Sequence, residues 1–485
     1  MSRRTPSYRI IPYVKDILAD LDTPLSCYMK LKKAFPSSPS FLLESVEAQE
    51  RLGRYSVIGF DPFLVFRSLG TTVTIEGLIN QVKTSDNPFG ELRNIMAMLK
   101  PVGFQEDTRF TGGAVGYVGY DVVNFFEQLP DMNKRGLGTQ DMYFMFPKKL
   151  VVFDNVTRRM MVVIHQCADK GAYGEDQNKV EGEKELAELL KILRAPLKPH
   201  AQKPFFVKTM DHHLSKEEFE EIVARAKEYI FAGDIIQVVL SQRFKIETDI
   251  DGLSLYRALR VINPSPYMFF MDCIDYGLIG SSPEILVKME GSEVEVRPIA
   301  GTRPRGRNAV EDENLARELL SDEKEQAEHI MLVDLGRNDV GRVAEVGSVK
   351  VPELMTVDKY SHVMHMVSSV KGTVQEGLDA FDVFRATFPA GTVTGAPKIR
   401  AMEIIEELEK EKREFYAGCV GYFGYNGNMD FCITIRTMLK KGDAVYLQAG
   451  AGIVADSKPE NEYFETIHKS EALVRSIMGL KEMMV

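Results

Sequence analysis

The sequence predicts an α/β protein, α+β in its details, in two large regions. Strand-like apolar runs and amphipathic helical runs follow one another along the chain. Pro196, Pro199 and Pro204 interrupt helix and sheet alike and mark a linker. With 485 residues, 44% hydrophobic and 27% charged, the chain can bury large cores, and length alone suggests about three folding units. The regions are residues 1–195 and 213–485, joined by a linker at 196–212.

In the first region Thr23-Pro24 opens a helix, a hydroxyl cap followed by a residue that needs no N–H partner. Ser40 to Val46 reads as a strand, and Lys149 to Phe153 with Met160 to His165 as a hairpin around Asp154-Asn155. Lys179 to Arg194 has helical spacing at Leu186, Leu189, Leu190 and Leu193. The second region opens with Ser215 and Glu218 in capping-box spacing, runs as a helix through Tyr229 and stops at Gly233. A strand from Ile235 to Phe244 follows. Its polar members Gln237, Ser241 and Arg243 share a face with Val239, because alternate strand residues point the same way, and that face predicts a polar cavity.

Gly113, Val115, Gly116, Tyr117, Gly119 and Tyr120 recur at identical spacing as Gly418, Val420, Gly421, Tyr422, Gly424 and Tyr425. Duplication and convergent strand chemistry both fit. Three motifs fail on inspection. Gly450-Ala451-Gly452 mimics a dinucleotide loop, but Pro459 is expected to hinder the long helix such a loop needs. Gly391 to Lys398 lacks the phosphate-loop spacing, with Ile399 where a hydroxyl belongs. Gly418-Cys419-Val420-Gly421 has Ala417 where a nucleophile elbow has glycine, so a packed strand is expected.

A balance of 60 basic against 70 acidic residues gives −10, which argues against nucleic acid or anionic membrane as partners. Cys27, Cys167, Cys273, Cys419 and Cys432 are odd in number and widely spaced, fitting a reducing compartment. Arg3 and Arg4 are followed by no apolar core of an export signal, and no run approaches a membrane span. The expected location is cytoplasmic.

From Arg297 to Arg307 four guanidiniums occupy eleven positions with no carboxylate among them. Such a run suits a small poly-anion or a solvated basic loop. Glu325 with Glu328, and Glu462 with Glu465, are carboxylate pairs three residues apart, so each pair faces one side of a helix. Convergence of the four would call for a cation, most simply Mg2+; two unrelated solvated faces would not. His365 lies in an apolar strand-like run and suits a core histidine or a catalyst. Glu284 follows the bend at Pro283 and suits a surface turn or a general acid aimed into a cavity.

In order along the chain, Leu42 to Ser45, Gln237 to Phe244, Asn263 to Met268, Gly280 to Glu284, Pro298 to Gly306 and Glu325 to Asp339 resemble the chorismate-utilising enzymes. Asp358 to His365, Pro389 to Lys398, Gly421 to Phe423, Ile435-Arg436 and Gln448 to Gly452 continue the likeness, which is dense from about 213 to 475. The resemblance implies two interleaved domains, each a mostly antiparallel sheet flanked by helices, the second housing the active site. Family members that add water carry lysine where Gln237 stands, because water must lose a proton and glutamine cannot take one. Aminodeoxychorismate synthases that use a covalent lysine carry it where Ala300 stands. Both departures imply the anthranilate-forming branch, with direct attack of ammonia at ring C2.

The resemblance further implies Mg2+ held by Glu328 and Glu465 with Glu325 and Glu462 assisting. Substrate carboxylates would be bound by Gly301, Thr302, Tyr416, Arg436, Gly450, Ala451 and Gly452; Glu284 would act as acid, His365 as proton carrier, and Gln237 would orient. Ammonia would come from a separate glutamine amidotransferase subunit, making a hetero-oligomer. Leu43, Glu44, Ser45, Pro266, Tyr267 and Met268 match the family's site for L-tryptophan as feedback inhibitor. The chain itself contains no tryptophan, compatible with an enzyme made when that amino acid is scarce. An aminodeoxychorismate synthase that dispenses with lysine, a tryptophan-sensing protein without turnover and a nucleotide-binding protein are the alternatives.

Overall fold

The computed structural model describes residues 7–45, 54–104, 110–130, 132, 134–169, 175–197, 204–360 and 363–480. Val46, Ser361, His362 and linker residues 198–203 lie outside them.

The local signals set the helix ends. Thr23 accepts the Ser26 N–H at 3.1 Å and Pro24 starts the helix Pro24–Ala34. Ser215 and Glu218 cap each other reciprocally at the start of Lys216–Ala232, which ends on Gly233 at φ 83°, a conformation glycine adopts freely. The hairpin forms where expected, Met142–Asp154 pairing with Arg159–Asp169 across Asp154 and Arg159. Lys179 to Arg194 lies within the helix Glu175–Arg194.

The strands form two mostly antiparallel sheets that share their longest members. Tyr55–Leu69 and Met142–Asp154 run side by side and shift register between Pro62 and Leu64. Before that shift, Tyr55–Leu69 pairs with Ser40–Glu44, and Ser40–Glu44 with Tyr267–Asp272. The sheet continues through Tyr276–Ser282, Thr437–Lys441 and Ala444–Ile453 to Gln237–Glu247. Beyond the shift, Met142–Asp154 pairs with Gly113–Val118, and Gly113–Val118 with Cys419–Gly424. Met429–Ile433, Ile285–Glu290, Glu293–Val296 and Val363–Thr373 extend this second sheet, with Ile299–Pro304 and Lys350–Lys359 alongside Val363–Thr373. The interleaving expected from the resemblance is present. Each sheet draws strands from both sides of the 196–212 linker, so the linker divides the sequence and not the sheets.

Period-2 alternation sorts the first sheet's side chains into two cores. Leu42, Phe270, Ile279 and Met438 pack beneath helices with Tyr28, Tyr256, Leu259 and Ile477. Phe41, Phe269, Leu278 and Leu439 join the core that includes the second sheet's Phe144, Val287 and Phe431.

The repeated glycine pattern has a local explanation. Its two copies pair with each other, Gly116 opposite Gly421. A Cβ on Gly116 would lie 2.0 Å from the Tyr143 carbonyl oxygen, and one on Gly421 2.1 Å from that of Asp430. Equivalent crowding demands glycine in both strands, whatever their history.

Pro459 does not hinder a helix. It opens the 20-residue helix Pro459–Met478, in the first turn where a missing N–H goes unnoticed. Gly450 and Gly452 lie inside a paired strand, opposite Ser241 and Val239, so they form no dinucleotide loop. Lys398 is held by Asp339 at 2.7 Å, and Cys419 is a buried strand residue whose thiol is pushed up by burial. No helix among the described residues is long and apolar enough to cross a membrane.

Candidate active site

Two helices bring the four glutamates together. Asp322 caps Glu323–Gly341 by accepting the N–H groups of Lys324 and Glu325 at 3.1 and 3.2 Å, which places Glu325 and Glu328 in its first two turns. Glu462 and Glu465 occupy the same part of Pro459–Met478. Burial raises the Glu328 carboxyl above its ordinary range, and the fields of Glu325, Glu465 and Glu462 raise it further against Lys324. Glu462 is raised by burial and by Glu465, against Ser457, Lys324 and Lys469. The four acids therefore share one electrostatic neighbourhood. Arg303 lies 3.0 Å from Glu325, Lys324 3.9 Å from Glu328 and Lys469 2.7 Å from Glu465.

Among the described residues no three Asp, Glu, His or Cys side chains form a ready-made cage. The donor set still fits Mg2+, which takes one or two carboxylates and keeps waters or substrate oxygens. Mutual repulsion at Glu328 and Glu462 is what a divalent ion would relieve.

Glu284 is no surface turn. It is 6% exposed, between Tyr276–Ser282 and Ile285–Glu290, with its carbonyl accepting the Ile433 N–H at 3.0 Å. Burial pushes its carboxyl up to about 8, against Thr392, the Ile299 N–H and Lys469, so it holds a proton at neutral pH. His365, on Val363–Thr373, points Nδ1 at the Gly301 carbonyl at 3.1 Å and the Thr302 hydroxyl at 3.0 Å. A carbonyl only accepts, so Nδ1 carries the hydrogen and Nε2 keeps its lone pair. Burial lowers the imidazole's pKa and the Arg436 charge lowers it further, against the Gly301 carbonyl, keeping the ring neutral. Gly301 is the extra residue of a bulge between Ala300 and Thr302, at φ 66°.

Arg436 differs from the other arginines here. It is half-buried, desolvation lowers its pKa, and the fields of Tyr416 and Glu465 act the other way. Among the described residues its guanidinium has no hydrogen-bond or ion-pair partner, which leaves its N–H fork open to an anion. Beside it, burial pushes the Tyr416 phenol up to about 12. A Cβ on Gly450 would lie 2.6 Å from the Tyr416 hydroxyl, and one on Gly452 2.5 Å from Gln237 Nε2. Thr437–Lys441 stops pairing with Ala444–Ile453 at Leu447, so Gly450 to Gly452 keep one free strand edge. Ala451 turns its methyl into the core against the helices and lies opposite Leu240 in the ladder. Gln237 Oε1 is buried without a hydrogen-bond partner.

Two expectations are overturned. The run Arg297 to Arg307 is not an open anion trap. Arg297 faces Asp358 at 3.3 Å, Arg303 faces Glu318, Asp322 and Glu325, and Arg305 grips Asp312. Acids from neighbouring elements neutralise three of the four guanidiniums. The polar face of Gln237–Glu247 also serves a different purpose. Ser241 donates to Glu409 at 2.9 Å and Arg243 to Gln448 at 3.3 Å and the Lys412 carbonyl, so only Gln237, at the strand's end, reaches the site.

Three site residues escaped the sequence reading. Lys469 donates to the Gly450 carbonyl at 3.0 Å, and its i,i+4 spacing from Glu465 could have signalled the ion pair. Thr392 places its hydroxyl beside the Glu284 carboxyl and works against its rise. Arg413 is buried between the rings of Tyr120 and Tyr416, at 4.8 and 5.5 Å, and donates to the carbonyls of Val239 and Val393 at 2.7 Å each. No nearby residue announces the last two.

A second hollow, a cavity of about 400 Å³, lies between the two sheets. Leu43, Glu44, Ser45, Pro266, Tyr267 and Met268 all line it, opposite Val420, Tyr422 and Asp430. The Glu44 carboxylate is already taken by Tyr256 at 2.5 Å and Arg260 at 3.0 Å; the Tyr267 hydroxyl donates to Asp430 at 2.9 Å.

The sequence pattern of chorismate binding enzymes matches residues 38–475. Anthranilate synthase component 1 of Aquifex aeolicus (strain VF5) is 46% identical over 473 residues, covering 97% of this chain and 95% of its own. That of Pseudomonas putida is 45% identical over 484 residues, covering 97% and 96%. The crystal structure of anthranilate synthase component I from Streptococcus pneumoniae TIGR4 superposes with a TM-score of 0.78 at 39% identity, covering 95% of this chain and 99% of that one. The menaquinone-specific isochorismate synthase of Escherichia coli, at 20% identity and a TM-score of 0.73 over 97% of this chain and 95% of that one, shares the fold.

Proposed function

Because the chain belongs to the chorismate-binding enzyme family, we propose that it is a lyase that joins chorismate and ammonia and releases anthranilate, pyruvate and water, the first committed step toward tryptophan. The observation that carries this reading is Arg436, a half-buried guanidinium without a protein partner, set between neutral His365 and the glutamates. A carboxylated ring is the anion it suits. The names of the relatives, component 1, support a partner component, which we assign as the glutamine amidotransferase that supplies ammonia.

The substrate's carboxylates would lie against Arg436, Tyr416, Thr302 and the free edge at Gly450 to Gly452. Such positioning can contribute several kcal/mol. A magnesium ion held by Glu328 and Glu465, with Glu325 and Glu462 close by, would neutralise the ring carboxylate. Glu284, protonated at neutral pH, gives its proton to the C4 hydroxyl, which leaves as water while ammonia attacks C2. Gln237 orients the incoming amine and cannot deprotonate it. Nε2 of His365 then takes the C2 proton as the enolpyruvyl group departs, collects a proton and leaves as pyruvate, and the ring becomes aromatic.

We also assign the cavity between the sheets to L-tryptophan as feedback inhibitor. Its volume falls in the ordinary range for small ligands, and its lining mixes apolar side chains with a few charged ones. One experiment tests the whole reading: purified chain, chorismate, magnesium and ammonium salt, followed by anthranilate fluorescence, with and without chelator and tryptophan. No anthranilate, or a product aminated para to the carboxylate, would refute it.

A further inference from the structure

We infer that Arg303 is a positioning residue that holds Glu325 out of the metal ion's inner coordination, keeping positions open for substrate oxygens. The inference rests on reading the four glutamates as the metal site.

Arg303 lies on Ile299–Pro304, one residue beyond Thr302, whose hydroxyl meets His365. Its guanidinium donates to Glu318 at 3.1 Å, Asp322 at 3.1 Å, Glu325 at 3.0 Å and the Thr302 carbonyl at 3.1 Å, which uses four of its five N–H groups. Asp322 is also the cap of the helix that carries Glu325 and Glu328. The other Glu325 oxygen is pressed against Gly301, where a Cβ would lie 2.9 Å from it. Arg303 thus holds one Glu325 oxygen, and the other lies beside Gly301 on the same strand.

The partners of the other acids are of a different kind. Glu328 faces Lys324, 63% exposed and free to swing into water when a divalent ion arrives, and Glu465 faces Lys469, 35% exposed, which can release the carboxylate and keep the Gly450 carbonyl. Arg303 is 18% exposed and pinned by three carboxylates, so it cannot. A metal ion therefore finds Glu328 and Glu465 available and Glu325 reserved. That asymmetry suits Mg2+, which has few coordination positions and must leave some for substrate. Without the guanidinium, Glu325 would turn inward as an extra ligand.

The test measures Mn2+ binding to metal-free protein by electron paramagnetic resonance, in the native chain, R303M, R303K, E325Q and R303M/E325Q. R303M should bind Mn2+ about tenfold tighter, as expected when a like charge leaves and a carboxylate is freed nearby. R303K, keeping the charge but losing the fork, should shift less in the same direction. R303M/E325Q should bind as E325Q does. In turnover, R303M should raise the KM for chorismate. Unchanged or weaker Mn2+ binding in both Arg303 variants would overturn the inference, as would a gain that survives E325Q. A native chain that binds no Mn2+ even with chorismate present would instead refute the metal site itself.

Discussion

Replacing Glu284 with glutamine should abolish most catalysis and add stability, and the gain in stability should depend on pH. Burial raises this carboxyl from its ordinary 4.5 to about 8. Between those values the folded chain keeps a proton that the unfolded chain has released, so folding loses free energy as pH rises. At about 1.4 kcal/mol per pH unit, the penalty reaches about 5 kcal/mol. It is absent below the unfolded value and complete above the folded one. Glutamine keeps the shape and cannot ionise. In denaturant titrations E284Q should nearly match the native chain at pH 5 and exceed it by several kcal/mol at pH 9. Anthranilate formation should fall by about 10²–10⁴-fold, the usual worth of a general acid. In the native enzyme, at fixed free ammonia, the rate should decline as pH passes through about 8. Equal stabilities at both pH values, or an active E284Q, would refute the argument.

H365A should still aminate the ring but stall before aromatisation, lowering anthranilate formation by about 10²–10⁴-fold, with an aminated intermediate visible by chromatography; normal flux through both halves would count against the role. L43R should put a guanidinium into the cavity between the sheets and weaken tryptophan inhibition at least about tenfold, as losing a fitted apolar contact does, with turnover little changed; loss of activity with inhibition intact would speak against the site. R413M removes one partner of the buried pair with Glu409, whose N–O distance is 2.6 Å. It should cost about 3–5 kcal/mol in denaturant unfolding, because it leaves a buried carboxylate with the Ser241 donors but no counter-charge. A cost under about 1 kcal/mol would show the pair to be dispensable.

Much of the local structure is legible along the chain, because its causes lie within a few residues. Thr23 finds Ser26, Ser215 finds Glu218, and Gly233 ends its helix, each across one turn. Glu325 with Glu328 and Glu462 with Glu465 are fixed as same-face pairs by helical geometry. Where a residue's partner is remote, such reasoning fails. Arg297, Arg303 and Arg305 looked free because their acids sit on the following helices and on Lys350–Lys359. Ser241 and Arg243 looked like cavity residues because Glu409 and Gln448 are invisible from their neighbourhood.

The sequence by itself determined the helix caps, the hairpin, the pairing of the acids and the family likeness. Tertiary structure alone decided that the strands on either side of the linker would build two shared sheets, that Glu328 would feel Glu465, and that Arg436 would face the site without an acid of its own. The physical reason is range. Backbone capping and side-chain periodicity act over one or two turns, whereas burial and charge neutralisation depend on which distant segments are folded against each other.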